Sequence, residues 1–305
     1  SQSTCTRTTG LHCYACPGFI QRSQGQWQWK SLRTLHTQQR LHRHFDALVV
    51  ASPYLANTAI LHGLEASKIH VLPLYHERPE ATACAPTSAS KPQINATRFR
   101  FLFVGQLLQG KGLDLFFKAV KKALDDPNTP RFEVDILGSG AQEARLRQQV
   151  ERAGLASQVH FHGWVRHKAP YWQQANALVL PSRSPETFGL VGLEAMAHGL
   201  PVIASNVGGI SSWLTPGYNG DLFPAGDVEA LAQQLQHYVS NPQAVHQKGR
   251  QAYDTWYQHF QGDQHLQGLS KLFHELSSPQ AIMQTSAPDA PTDRSTLSEF
   301  SDSRA

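Results

Sequence analysis

Between Arg98 and about Asn241 the chain alternates short β-rich runs with amphipathic stretches, a rhythm that few folds accept. The runs FRFLFVG (99–105), FEVDILG (132–138), QVHFHG (158–163), ALVLPS (177–182) and PVIAS (201–205) have the length and composition of strands. Between the first two, LDLFFKAVKKAL (113–124) places Leu113, Phe116, Phe117, Val120 and Leu124 close to i, i+3, i+4, i+7 spacing, which predicts a helix with one buried stripe. Strand, helix, strand in this order builds a parallel sheet covered on both faces. The expected fold class is therefore α/β, with one complete Rossmann-like domain over residues 98–249.

The flanks read differently. WQWKSLRTLHTQQRLHRHF (27–45) has a helical pattern, DALVVAS (46–52) a strand pattern, PYLANTAILHGL (53–64) a helical one and KIHVLPL (68–74) another strand pattern. Residues 1–76 thus resemble the last part of a second Rossmann-like domain whose opening strands would lie before Ser1. Residues 77–97 are rich in Pro, Ala, Ser and Thr and read as a linker. Residues 250–276 carry aromatic and Leu side chains at helical spacing outside any βα unit, suiting a helix that crosses to the first domain; residues 277–305 have the composition of a disordered tail.

Composition narrows the class of function. No apolar run approaches the roughly 20 residues a membrane span requires. The formal charge of +4 is spread along the 305 residues without a basic block, which argues against nucleic acid as a partner. Four cysteines are too few for a disulfide scaffold and favour a reduced, cytoplasmic setting. Cys5, Cys13 and Cys16 gather around His12, but a single C-x2-C with no second pair gives incidental thiols precedence over a zinc site. No metal ligands and no cofactor are assigned.

Ligands of open α/β sheets bind beyond the carboxyl ends of the strands, so the loops there carry the functional reading. After the first strand comes Gly105-Gln106-Leu107-Leu108-Gln109-Gly110-Lys111-Gly112, and after the second Gly138-Ser139-Gly140. Glycines admit a phosphate close to the backbone, a helix start offers free N–H groups and Lys111 offers a point charge, although a plain βα turn explains each loop taken alone. Trp164, Val165 and Arg166 follow the third strand, where a flat base can stack or meet backbone groups; packing is the alternative. Gly208-Gly209 follows the fifth strand as a further loop or a simple turn.

The densest stretch is PETFGLVGLE (185–194). Pro181 and Pro185 keep its first half irregular, and LVGLEAMAHG then runs as a helix until Gly199 and Pro201 stop it. The N–H groups of Phe188, Gly189 and Leu190 open that helix, where unpaired donors and the dipole stabilise an anion. Glu186 lies in the loop and Glu194 inside the helix, able to accept hydroxyl hydrogens on either side of that anion; for Glu186 an ordinary surface-loop acid or a partner of the helix dipole is the alternative. A carboxylate in so apolar a helix needs a partner.

Taken together, FVGQLLQGKG, ILGSGAQEARL, VHFHGWV, ALVLPSRSPETFGLVGLEAMAHGLPVIAS and NVGG resemble, in order, the donor-binding domain of the retaining family-4 glycosyltransferases, which have the two-domain GT-B architecture. The resemblance covers roughly residues 98–240 and centres on the Glu-x7-Glu pair Glu186 and Glu194. It implies transfer of a sugar from a nucleotide-diphosphate donor to a sugar, glycan or lipid-linked acceptor with retention, in polysaccharide or glycolipid biosynthesis, without an obligate metal. Carried over by position, Glu194 would bind the ribose hydroxyls, Glu186 would face the donor sugar and Lys111 would meet the diphosphate. The Phe188, Gly189 and Leu190 backbone would contact sugar and diphosphate, Val165 would mark the base, and Gly105, Gln106, Gly138 and Gly140 would line the donor site.

Gln106 stands where relatives often carry Arg, and Ser212 where GG-x-x-Glu would place Glu, so one positive and one negative charge of the pattern are absent. A histidine and a Gly-rich loop of the first domain would lie in a missing N-terminal half or a separate subunit. Two rivals therefore stay open: a nucleotide-sugar-binding module without turnover, and another GT-B enzyme such as a phosphorylase or epimerase. A lipid-linked acceptor would bring the enzyme to the inner membrane surface.

Overall fold

The computed structural model describes residues 20–23, 26–29, 32–42, 44–77 and 98–278. The cluster of Cys5, His12, Cys13 and Cys16, residues 78–97 of the linker and residues 279–305 of the tail lie outside them.

The N-terminal segment opens on the antiparallel strands β1 (Ile20–Ser23) and β2 (Gln26–Trp29), followed by α1 (Leu32–His42). The helical reading of residues 27–45 is thus corrected at its start. Gln26-Trp27-Gln28-Trp29 alternates with period two and is rich in aromatics, a strand pattern that pairs with β1. Next come β3 (Leu48–Val50), α2 (Pro53–Leu61) and β4 (Ile69–Val71), with β3 and β4 parallel.

The larger unit runs β5 (Phe99–Val104), α3 (Leu113–Asp125), β6 (Phe132–Leu137), α4 (Glu143–Arg152), β7 (Val159–Gly163), α5 (Ala169–Gln174), β8 (Ala177–Leu180), α6 (Leu190–Ala197), β9 (Val202–Ser205), β10 (Gly220–Phe223) and α7 (Val228–Ser240). Its six strands form one parallel sheet in the order β10-β9-β8-β5-β6-β7. The strand alternation sorts side chains onto two faces: Phe101 and Phe103 join a core with Phe116, Phe117 and Val120 of α3 and Leu231 and Leu235 of α7. Leu102 points the other way, into a core with Leu178, Leu193 and Met196 and with Trp256 of α8 (Pro242–His259).

The order of the strands fixes where a ligand can sit. From β5 the chain moves outward to β6 and β7, then returns to the other side of β5 and moves away through β8, β9 and β10. Connections therefore diverge from β5 and β8, and a crevice opens beyond their carboxyl ends.

The region read as one helix over 250–276 is two. α8 begins at Pro242 and ends at His259; the backbone of Phe260 behind it leaves the helical region (φ −131°), and α9 (Gly262–Leu276) starts anew. At the break Phe260 is buried against Phe188, with ring centroids 6.1 Å apart. Both helices reach the N-terminal segment: Trp256 Nε1 donates to the His76 carbonyl at 3.1 Å, and His265 Nδ1 to the Pro73 carbonyl at 2.7 Å. Among the described residues no helix is long and apolar enough to cross a membrane.

Candidate active site

At the crevice, the loop after β5 meets the loop after β8. Lys111 closes a single 3₁₀ turn, Gln109–Lys111, and Gly112 behind it takes the left-handed conformation that starts α3. The amides of Arg183 and Ser184 donate to the Gly110 carbonyl at 2.8 and 3.1 Å, so each loop holds the other. Arg183 also reaches Asp114 in the first turn of α3 at 2.6 Å. In this setting Lys111 Nζ stands 2.7 Å from Glu186 Oε1, and Ser182 Oγ donates to the same oxygen at 2.5 Å. The carboxylate is largely buried, with 18% of its side chain exposed, and is oriented by two donors.

Three residues further on, Gly189 (φ 89°) caps α6 from the left-handed region. Phe188 is buried in the core and its carbonyl accepts from Trp213 Nε1 at 2.6 Å, whereas Leu190 is exposed. Phe188 can therefore face a ligand through its backbone only. Gly208 and Gly209 brace this loop from behind: the Gly209 amide donates to the Glu186 carbonyl at 2.8 Å. From the N-terminal segment, the buried Ser52 hydroxyl donates to the Thr187 carbonyl at 2.8 Å.

The loop after β5 that carries Lys111 also lines, with the loops after β6 and β7, a cavity of about 590 Å³. It brings together Gly105, Gln106, Gly138, Gly140 and Val165 of the predicted residues, with Trp164, Arg166 and Lys168. Its charged lining residues are Arg166 and Lys168; Lys168 is paired with Glu194, and Arg166 is the cation that suits an anionic ligand. The glycines have a structural demand as well: a Cβ on Gly138 would stand 1.8 Å from the Gly105 carbonyl oxygen, and one on Gly140 2.6 Å from that of Leu107. Trp164 is 73% exposed and offers a free aromatic face.

Lys111, Glu186, Phe188, Gly189, Leu190 and Glu194 stand outside the cavity lining. Glu194 is joined to it by Lys168, whose Nζ lies 2.6 Å from Glu194 Oε2, while Trp172 Nε1 donates to Oε1 at 3.0 Å. The partner that an acid in an apolar helix requires is thus Lys168. Sequence reasoning missed it, although a lysine five residues beyond the β7 strand end falls in the region where ligands bind. Ser182 was missed too, in the same loop as Glu186.

The family model for glycosyl transferases group 1 matches residues 85–255. The chain is 33% identical over 214 residues to a D-inositol 3-phosphate glycosyltransferase of Paenarthrobacter aurescens (strain TC1), covering 67% of this chain and 52% of that protein. It is 31% identical over 189 residues to an exopolysaccharide phosphotransferase of Streptomyces coelicolor, covering 62% of this chain and 20% of that protein. Among solved structures, Anabaena HepE in complex with UDP and glucose superposes with a TM-score of 0.70 at 22% identity, over 81% of this chain and 68% of that one. The chain thus spans about half or less of the length of these two curated relatives, and its fold is the α/β fold of GT-B type.

Proposed function

The chain belongs to the glycosyl transferases group 1 family, and on that premise we propose that it moves a sugar from a nucleotide-diphosphate donor to an acceptor hydroxyl with retention of configuration. The observation that carries this reading is the Lys111–Glu186 contact of 2.7 Å, at the strand ends where the sheet reverses and on the loop whose Gly105, Gln106 and Leu108 line the cavity. The base lies by Trp164 and Val165, and Glu194 accepts from ribose hydroxyls. The diphosphate meets Lys111 and the start of α6, where the dipole is positive. An ammonium has three donors, so Lys111 keeps Glu186 while it bonds a phosphate oxygen.

In the reaction, the bond between the anomeric carbon and the diphosphate oxygen breaks and its electron pair stays on the diphosphate. Lys111 and the helix start stabilise that growing charge without a metal ion. The acceptor oxygen bonds the anomeric carbon on the face the diphosphate leaves, and its proton passes to the diphosphate or to solvent. Glu186, held by Lys111 and Ser182, orients the sugar. The complex of HepE with UDP and glucose supports this donor class. The acceptor is a sugar, glycan or lipid-linked sugar in polysaccharide or glycolipid assembly, in the cytoplasm or at the inner membrane surface.

One observation favours a second reading. Gln106 puts a neutral side chain on the cavity wall, as suits a chain that binds a nucleotide-sugar without turning it over. Thermal-shift titration with UDP-, GDP- and ADP-sugars, followed by measurement of nucleotide release with and without sugar acceptors and EDTA, separates the two. The proposal expects stabilisation by one donor class and nucleotide release that EDTA leaves intact. Stabilisation without release supports the binding chain, and no stabilisation refutes both.

A further inference from the structure

We propose that Lys168 is a ligand-contacting residue of this cavity and that it acts with Glu194 as one unit to recognise the ribose of the donor; the inference rests on the nucleotide-sugar reading above. Lys168 lines the cavity and its ammonium is paired with Glu194, so the lysine joins the carboxylate to the cavity wall. Its Nζ lies 2.5 Å from Oε1 and 2.6 Å from Oε2, bridging both oxygens.

The rest of the arrangement holds the carboxylate in one orientation. Trp172 of α5, four residues after the N-cap residue Lys168, donates its indole N–H to Oε1 at 3.0 Å. That indole is buried and stacks on His198, with centroids 5.4 Å apart and planes 22° apart. His198 Nδ1 in turn donates to the Glu194 carbonyl at 2.8 Å, tying the ring to the helix that carries the acid. Only 15% of the Glu194 side chain and 31% of the Lys168 side chain are exposed, so removing the cation leaves a carboxylate with little water to replace it.

The hydrogen-bond inventory leaves capacity for a ligand. A carboxylate has about four acceptor sites, and Lys168 and Trp172 occupy only part of them. The ammonium has three donors, of which two serve the carboxylate, leaving one for a hydroxyl oxygen at the cavity wall. A pair of this kind offers both an acceptor and a donor to adjacent hydroxyls, which matches a ribose and mismatches its deoxy form.

The test is calorimetric titration with whichever of UDP, GDP and ADP binds best, and with its 2′-deoxy counterpart, for the wild type, Lys168→Met, Lys168→Arg, Glu194→Gln and the double variant Lys168→Met/Glu194→Gln. Removing a charge-assisted hydrogen bond should weaken the ribonucleotide about 10- to 100-fold in Lys168→Met, while the deoxynucleotide changes by about threefold or less. Lys168→Arg should restore most of the ribonucleotide affinity, and the double variant should lose little more than either single one. Thermal melts of each variant separate loss of binding from loss of fold. Equal loss for both nucleotides, additive losses in the double variant, or unchanged affinity in Lys168→Met overturns the inference while leaving the functional reading in place. A wild type that binds none of the three nucleotides overturns both.

Discussion

Replacing Gly208 with Ala tests how the Glu186 loop is held. Gly208 lies at φ 59°, and a Cβ built there would stand 2.1 Å from the Glu186 carbonyl oxygen and 2.7 Å from its amide nitrogen. Ordinary contact begins at 3.4 Å, so the Glu186 backbone must retreat by about 1.3 Å, the difference between the two distances. The left-handed conformation costs a non-glycine residue about 1–2 kcal/mol, and straining the adjacent Gly209–Glu186 hydrogen bond adds about 1 kcal/mol. Together these predict a loss of roughly 2–3 kcal/mol, or a fall in Tm of about 5–10 °C. A shift of 1 Å at a group that orients substrate costs about 100-fold in rate. Gly217→Ala is the control, since Gly217 also has positive φ (78°) but nothing within 4 Å of its would-be Cβ. It should bear the conformational cost alone and turn over like the wild type. The assays are a thermal melt and nucleotide release from the donor. A Gly208→Ala variant with wild-type melting and turnover would refute the bracing argument.

Three further predictions concern other contacts. Ser52→Ala removes a buried hydroxyl that donates to the Thr187 carbonyl and caps α2 through the Leu55 amide, and should cost about 1–3 kcal/mol in urea unfolding. Gln106→Arg adds a cation to a cavity wall that already carries Arg166 and Lys168, and should tighten nucleoside-diphosphate binding about 5- to 10-fold, less at high salt. Tyr238 is buried and donates to Asp221 at 2.7 Å, with Lys248 paired to the same carboxylate; burial, and then the Asp221 charge, drives its hydroxyl far above the usual phenolic range. Its folded pKa is raised, so this stability is present below the unfolded value of about 10 and falls as pH rises beyond it. Urea midpoints from pH 7 to 11 should drop above pH 10 in the wild type and flatten there in Tyr238→Phe.

The sheet was legible because its central strands are buried on both faces and α3 is one-sided. Phe101 and Phe103 against Leu102, and Phe116, Phe117 and Val120 in one stripe, carry the two periods that define strand and helix. β10 was not legible: Gly220-Asp221-Leu222-Phe223 is short and has no apolar run, and becomes a strand by pairing with β9 in the register Gly220 to Val202. At the break Phe260 packs on Phe188, which lies 72 positions earlier and is brought near only by folding. The same holds for the site. The glycines and acids could be picked out from their loops, but Lys111 meets Glu186 across 75 positions because β5 lies beside β8. Lys168 meets Glu194 across 26 positions, through the packing of α5 on α6. Gly138 and Gly140 were read as places for a phosphate, and the close approach of the β5 and β6 loops is sufficient reason for both.

A crystal structure of the chain soaked with the best-binding nucleoside diphosphate tests the central claim most directly. The account predicts the base against Trp164 and Val165, ribose hydroxyls within hydrogen-bond distance of Glu194 and Lys168, and the diphosphate between Lys111 and the first turn of α6. A nucleotide bound elsewhere, with the cavity beside Gly105 and Gly138 left empty and Lys111 still held only by Glu186, would contradict it.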